Sequence, residues 1–132
     1  MILGVGIDLV DMRRLKAAVE RYEQRFFDRI LTPAELAYCQ KNADPIAALA
    51  RHYAFKEAAS KALGTGMTSG VNWRNLELCR LKGRKPFAQF HGAANERLAS
   101  LTPQGHRAVI SVSISDEPPY ANAICIIDAQ PA

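Results

Sequence analysis

No stretch of this chain approaches the roughly 18 to 20 apolar residues that cross a bilayer as a helix; the longest apolar runs cover residues 1 to 7 and 121 to 127. The sequence therefore predicts a chain that is not a membrane protein. Cysteine is scarce: Cys39, Cys79 and Cys125 are odd in number and about 40 residues apart, which fits neither a disulfide framework nor a zinc motif, so they read as core thiols. Internal repeats, low-complexity tracts and linkers are absent. The N-terminus lacks the basic segment and small-residue cleavage site of a signal peptide, and a cytoplasmic protein is expected. What is present is the balance of a globular domain, with 132 residues of which 48% are apolar and 23% charged. That excludes intrinsic disorder and predicts one domain over residues 1–132. Lys and Arg outnumber Asp and Glu by 17 to 13, a net charge of +4. This favours a polyanionic partner and leaves nucleic acid, an acidic protein and a phosphate-rich small molecule open.

The apolar, β-branched run ILGVGIDLV at residues 2–10 predicts a buried strand delivering Asp8 near its end, where a carboxylate needs a partner. Met12, Leu15, Val19, Tyr22 and Phe26 step by 3 and 4, the spacing of one helical face. Arg14, Arg21 and Arg25 fall nearly opposite that face as a basic ridge. Thr32-Pro33-Ala34-Glu35 has the form of a helix start, and Asp44-Pro45 opens the longest helix, about 46–63, which Gly64 should end in a left-handed cap. Strands are expected at 73–81, 86–91, 108–115 and 120–128, with a short helix near 93–101. Ser111, Ser113 and Ser115 alternate with Ile110, Val112 and Ile114, as on a two-faced strand. The whole predicts an α+β domain, with an N-terminal strand and helices packed on a mainly antiparallel sheet.

The chemistry gathers in residues 50–66, ARHYAFKEAASKALGTG. Glu57 and Lys61 are neighbours at i and i+4, which by spacing alone is an ordinary helix ion pair worth about 0.3 to 0.5 kcal/mol. Their position before a glycine loop, with Asp8 as a second carboxylate, suits a divalent cation and a phosphate instead. Mg²⁺ is a hard ion that usually takes one or two carboxylates together with substrate phosphate oxygens. Asp8 and Glu57 supply that set, Lys61 would face the phosphates, and Arg51 offers a fork-shaped phosphate contact. The glycine loop follows a helix and its Lys61 precedes the glycines, so this is no P-loop; Gly4 and Gly6 lack the third glycine of a dinucleotide fingerprint. His52, His91 and His106 have no metal-ligand spacing.

GVGIDLV at 4–10 with the following Arg14, FFDRILTPAEL at 26–36, ARHYAFKEAASKALGTG at 50–66, NWRNLEL at 72–78, GRKP at 83–86 and SVSISDEPPYANA at 111–123 together resemble the holo-acyl-carrier-protein synthase family. The likeness runs from Ile2 to about Asp128. It implies the 4'-phosphopantetheinyl transferase fold and a Mg²⁺-dependent transfer of phosphopantetheine from coenzyme A to a serine of an apo-acyl carrier protein, releasing adenosine 3',5'-bisphosphate, in fatty acid biosynthesis. By that likeness Asp8 and Glu57 match the metal ligands and Lys61 the lysine at the pyrophosphate. Arg51, Lys61, Gly64, Thr65 and Gly66 would hold coenzyme A. Arg14, Arg21 and Arg25 would dock the acidic carrier, and the serine's base would be Glu57 or a metal-bound water. The family also implies a homotrimer with active sites between subunits.

The late strand departs from the family's HVSISH. Ser111 and Asp116 stand where the histidines would be, so the histidine contact to coenzyme A does not carry over. Two other readings compete. A nucleic-acid-binding module would explain the positive charge, but its aromatic platform would have to come from Trp73, Phe87 and Phe90, whose spacing is that of strand core. A trimeric scaffold without catalysis would explain Ser111 and Asp116, yet would leave Asp8, Glu57 and Lys61 idle.

Overall fold

A helix buried along most of its length belongs at the centre of a fold, and α4 (Pro45–Leu63) takes that place in the computed structural model, which describes all residues Met1–Ala132. Its start and stop are those the sequence announces. The Asp44 side chain accepts from the Ala47 N–H, Pro45 fills the first turn, and Gly64 adopts a left-handed φ of 78°. Against α4 lies a three-stranded antiparallel sheet ordered β1-β5-β4, from β1 (Ile2–Asp11), β4 (His106–Glu117) and β5 (Tyr120–Pro131). Ala121, Ala123, Cys125 and Ile127 of β5 turn inward and are buried.

The approach of β1 to α4 is closer than side chains allow. A Cβ on Gly6 would lie 1.8 Å from the Ala58 carbonyl oxygen, and one on Gly4 would lie 1.9 Å from that of Ala62. These glycines serve close backbone contact. With helix on one side, the strand's large apolar residues face the other way: Val5, Ile7 and Leu9 are 55%, 61% and 67% exposed. The expectation of a buried strand is thus corrected, because only one face of β1 is covered. Ser111, Ser113 and Ser115 of β4 share that outer face and are exposed, as their alternation predicts.

Two further elements begin or end differently from the sequence pattern. The periodicity from Met12 to Phe26 suggests one helix, but Glu23 at φ 55° divides it into α1 (Met12–Tyr22) and α2 (Gln24–Ile30). Arg25 therefore belongs to α2, not to the ridge of α1. Strand structure was expected from Trp73, yet Trp73–Asn75 forms a 3-10 turn because the Asn72 side chain accepts from the Arg74 and Asn75 N–H groups, and the Asn75 side chain accepts from Asn72 N–H in return. The strand β2 (Leu76–Cys79) follows and pairs with β3 (Phe87–Phe90) as a separate antiparallel ribbon; α5 (Gly92–Leu101) leads back to β4.

The helix α3 (Pro33–Lys41) starts on the predicted capping box, with Thr32 and Glu35 each accepting from the other's N–H. Glu35 does more than cap, because Lys56 Nζ donates to its Oε1 at 2.7 Å in a fully buried ion pair. Substituting Gly6 by alanine forces a methyl group into a main-chain carbonyl of α4, which cannot rotate away. Gly6→Ala should cost about 3 kcal/mol of stability in urea unfolding; an unchanged midpoint would contradict the packing described.

Candidate functional site

Because Gly4 and Gly6 point at α4, so does Asp8, two residues further along the same face of β1. On α4, Glu57 and Lys61 are one turn apart. The three meet at the edge of a cleft of about 360 Å³ lined by Asp8, Glu57, Arg14 and Tyr53 and by apolar residues that include Leu15 and Phe26. Lys61 Nζ donates to Asp8 Oδ1 at 3.1 Å and to the Ile7 carbonyl at 3.0 Å, and its side chain remains half exposed. The lysine is thus fixed to the strand carboxylate rather than to Glu57, the i, i+4 partner that spacing suggests.

Both carboxyls are held above their ordinary range. For Asp8 burial is the larger influence, opposed by the hydrogen bond and charge of Lys61 and by Arg14. For Glu57 burial comes first, the Asp8 charge adds to it, and Lys61 opposes both. Asp11, also at the cleft, is bound by the Arg13 guanidinium through two N–H groups at 2.9 and 2.7 Å. The Glu57 carboxylate has no such protein donor and remains open to a cation or a proton. Beyond this pair, no group of three or more His, Cys, Asp or Glu is arranged to hold a metal. A cation placed here would have two protein carboxylates, Asp8 and Glu57, and would need the rest of its shell from water or phosphate.

The other predicted residues lie at varying distance from the acids. Arg14 lines the cleft itself. Arg25 lines an adjoining hollow of about 320 Å³ with Tyr22, Phe26 and Arg29, and Arg21 stands exposed on α1. Arg51 Nη1 donates to Asp116 Oδ2 at 3.2 Å, so the aspartate that departs from the family pattern engages the predicted phosphate ligand. Gly64, Thr65 and Gly66 follow the C-terminus of α4 and do not line the cleft; the Thr65 hydroxyl donates to the Gly66 carbonyl at 2.8 Å. His52 is buried, its Nδ1 2.8 Å from the Ala48 carbonyl, and burial pushes it down to about 4, so it is neutral and structural.

Sequence reasoning missed Tyr53, whose ring packs on Trp73 with centroids 4.7 Å apart. Burial and the Glu57 charge push its hydroxyl up. The signal was available in its i−4 spacing from Glu57 on one helix face.

The raised Glu57 carboxyl has a consequence for stability. A folded-state value above the unfolded one means that the charged form is disfavoured by folding, so the cost is present at neutral pH and disappears as pH falls to the ordinary carboxyl range. Glu57→Gln should therefore melt a few degrees above the parent at pH 7, with the gain shrinking at pH 4; a lower melting temperature at pH 7 would contradict the acid pair as described.

Residues 4–120 match the model of the 4'-phosphopantetheinyl transferase superfamily. The holo-[acyl-carrier-protein] synthase of Rhodopseudomonas palustris is 47% identical over 99% of this chain and 97% of its own length, and that of Cereibacter sphaeroides 43% over 99% and 96%. Among solved structures, the synthase of Neisseria meningitidis superposes with a TM-score of 0.83 at 34% identity, covering 97% of this chain and 99% of that one. The Helicobacter pylori synthase in complex with coenzyme A gives 0.78 at 25%, covering 94% and 99%. The chain thus belongs to the holo-[acyl-carrier-protein] synthase family of the 4'-phosphopantetheinyl transferase superfamily.

Proposed function

We propose that this protein moves 4'-phosphopantetheine from coenzyme A to a serine of an apo-acyl carrier protein, with Mg²⁺ held by Asp8 and Glu57. The observation that carries the reading is the meeting of two desolvated carboxylates from β1 and α4 in one cleft, with a half-exposed lysine beside them. The donor set fits Mg²⁺: oxygen ligands only, two of them, in a site whose carboxylates repel and so favour a cation between them. When bound, the ion would neutralise charge on the pyrophosphate.

In the transfer, the carrier serine oxygen bonds to the β-phosphorus and the bond from that phosphorus to adenosine 3',5'-bisphosphate breaks. An ammonium has three N–H groups, and two of those on Lys61 are spent on Asp8 and Ile7. The third is free for an oxygen of the departing phosphate, to which it can also return a proton. Glu57, bare of protein donors, is the carboxylate in place to accept the serine proton, directly or through a water. Coenzyme A bound to the Helicobacter relative supports the donor. Arg51 and the loop 64–66 are proposed to contact it, and a phosphate must then compete with Asp116 for Arg51.

Arg14 in the cleft, with Arg21 and Arg25 beyond it, offers a cationic approach to an acidic carrier, while Leu15 and Phe26 supply apolar surface beneath. The exposed stripe Val5, Ile7 and Leu9 supports a homotrimer, in which sheet faces would cover one another. Gly64, Thr65 and Gly66 do not line the cleft of their own chain, which is compatible with active sites shared between subunits. We place the activity in the cytoplasm and in fatty acid biosynthesis; no helix of the chain is long and apolar enough to cross a membrane.

Incubating the protein with coenzyme A, Mg²⁺ and an apo-acyl carrier protein should add one phosphopantetheine, about 340 Da by its formula, to the carrier's intact mass. EDTA or Glu57→Gln should abolish the gain. A folded protein that leaves several apo carriers unmodified would instead support a scaffold that has lost catalysis. Arg21→Glu should raise the KM for carrier about tenfold at low salt, leave the KM for coenzyme A unchanged, and lose its effect as salt rises; equal effects on both substrates would remove α1 from the docking surface.

A further inference from the structure

Lys56 sits next to Glu57 in the chain but points away from the cleft, into the only fully buried ion pair of the protein. Its Nζ donates to Glu35 Oε1 at 2.7 Å and to the Trp73 carbonyl at 2.9 Å. Glu35 in turn accepts from the N–H of Thr32 at 2.9 Å and, through Oε2, from the N–H of Leu78 at 3.0 Å. Thus one carboxylate joins the start of α3, the middle of α4 and β2, and Lys56 adds the turn at Trp73. Holding two charges in a dry interior is weak evidence of a stability role, since apolar replacement of both partners is often neutral or favourable. What an apolar pair cannot do is hold a carbonyl.

That carbonyl belongs to the residue whose ring backs the cleft wall. Trp73 packs on Tyr53 at 4.7 Å with planes 32° apart, and Tyr53 lines the cleft beside Glu57. On its other side Trp73 borders a hollow of about 390 Å³ shared with Arg29, Met67, Val71 and Arg74, so the indole has space to move if its anchor is lost. We propose that Lys56 is a positioning residue: through the Trp73 carbonyl it holds the Trp73–Tyr53 stack, and thereby the tyrosine wall that keeps the Glu57 cleft in its working shape. The inference rests on the transferase reading for what the cleft does, but not for the contacts themselves.

Trp73 is the sole tryptophan, so the protein's own indole fluorescence reports on this stack without reference to activity. In the paired variant Lys56→Met with Glu35→Leu, which leaves no buried charge, the fold should persist by far-UV circular dichroism and cooperative melting. Trp73 emission should shift to the red and acrylamide quenching should rise. Carrier modification should lose about tenfold or more in kcat, as expected for a misplaced catalytic group, with the KM for coenzyme A unchanged. Tyr53→Leu removes the wall while leaving the ion pair intact, and it should reproduce the kcat loss; it also decides the matter if the paired variant does not fold. Wild-type Trp73 emission in the paired variant, or wild-type kcat in Tyr53→Leu, would overturn the proposal. Absence of transfer by the parent protein would sink the transferase reading alone, and the fluorescence comparison would still judge whether Lys56 sets the wall.

Discussion

The structure depends on the absence of two side chains. Gly4 and Gly6 let β1 lie against the carbonyls of Ala58 and Ala62 with nothing between. That contact is closer than ordinary strand-on-helix packing, and it sets the reach between the elements that carry the acids. Asp8 projects from the same strand face two residues on, and Glu57 and Lys61 project from the same stretch of helix. With a methyl group at either glycine, the helix would have to move outward and the Lys61 link to Asp8 and Ile7, at about 3 Å, would be broken.

Consecutive residues of α4 then show two treatments of buried charge. Lys56 is fully enclosed and answered by Glu35 and a carbonyl. Glu57 is half-enclosed, opposed by the like charge of Asp8, and answered by no protein donor. A fold selected for stability alone would give Glu57 a partner or remove it, since an unpaired charge away from water is costly. On the proposed function, that cost leaves a carboxylate open to a cation. The satisfied pair holds the frame, and the unsatisfied one is the group left open to a ligand.

Much of this was legible in the sequence wherever the signal is local. The Thr32 and Asp44 caps, the Gly64 stop, the serine alternation of β4 and the helical spacing of Glu57 and Lys61 are all set by neighbours a few residues away. The meeting of Asp8 with α4 was legible because Asp8 is an acid in a run too apolar to hold one alone. What escaped was either a local geometry that carries no periodic signal or a pairing of residues distant in the chain. Periodicity alone gave no sign that Glu23 would take φ 55° and divide the first helix. Asn72 captures the N–H groups of the turn at Trp73 in competition with strand pairing, a local hydrogen bond overriding β propensity. Arg51 and Asp116 lie 65 residues apart and Lys56 and Glu35 lie 21 apart, so neither pairing has a spacing to read.

The bare outer face of β1 follows from the same constraint as the face that carries Asp8. In a strand, a shift of register by one residue exchanges the two faces. Here such a slip would turn Val5 and Ile7 toward α4, into positions where even a Cβ falls within 2 Å of a carbonyl oxygen. It would also carry Asp8 out to the side now held by Ile7 and Leu9. The glycines therefore exclude the register that would hide the apolar stripe and lose the acid. Ile7 and Leu9 are exposed because Asp8 between them faces inward, and any partner that covers them packs directly behind the strand that carries this carboxylate. Assembly on that face would brace β1 from behind, on the side opposite its Lys61 link to α4, and so would tie the exposed stripe to the geometry of the cleft.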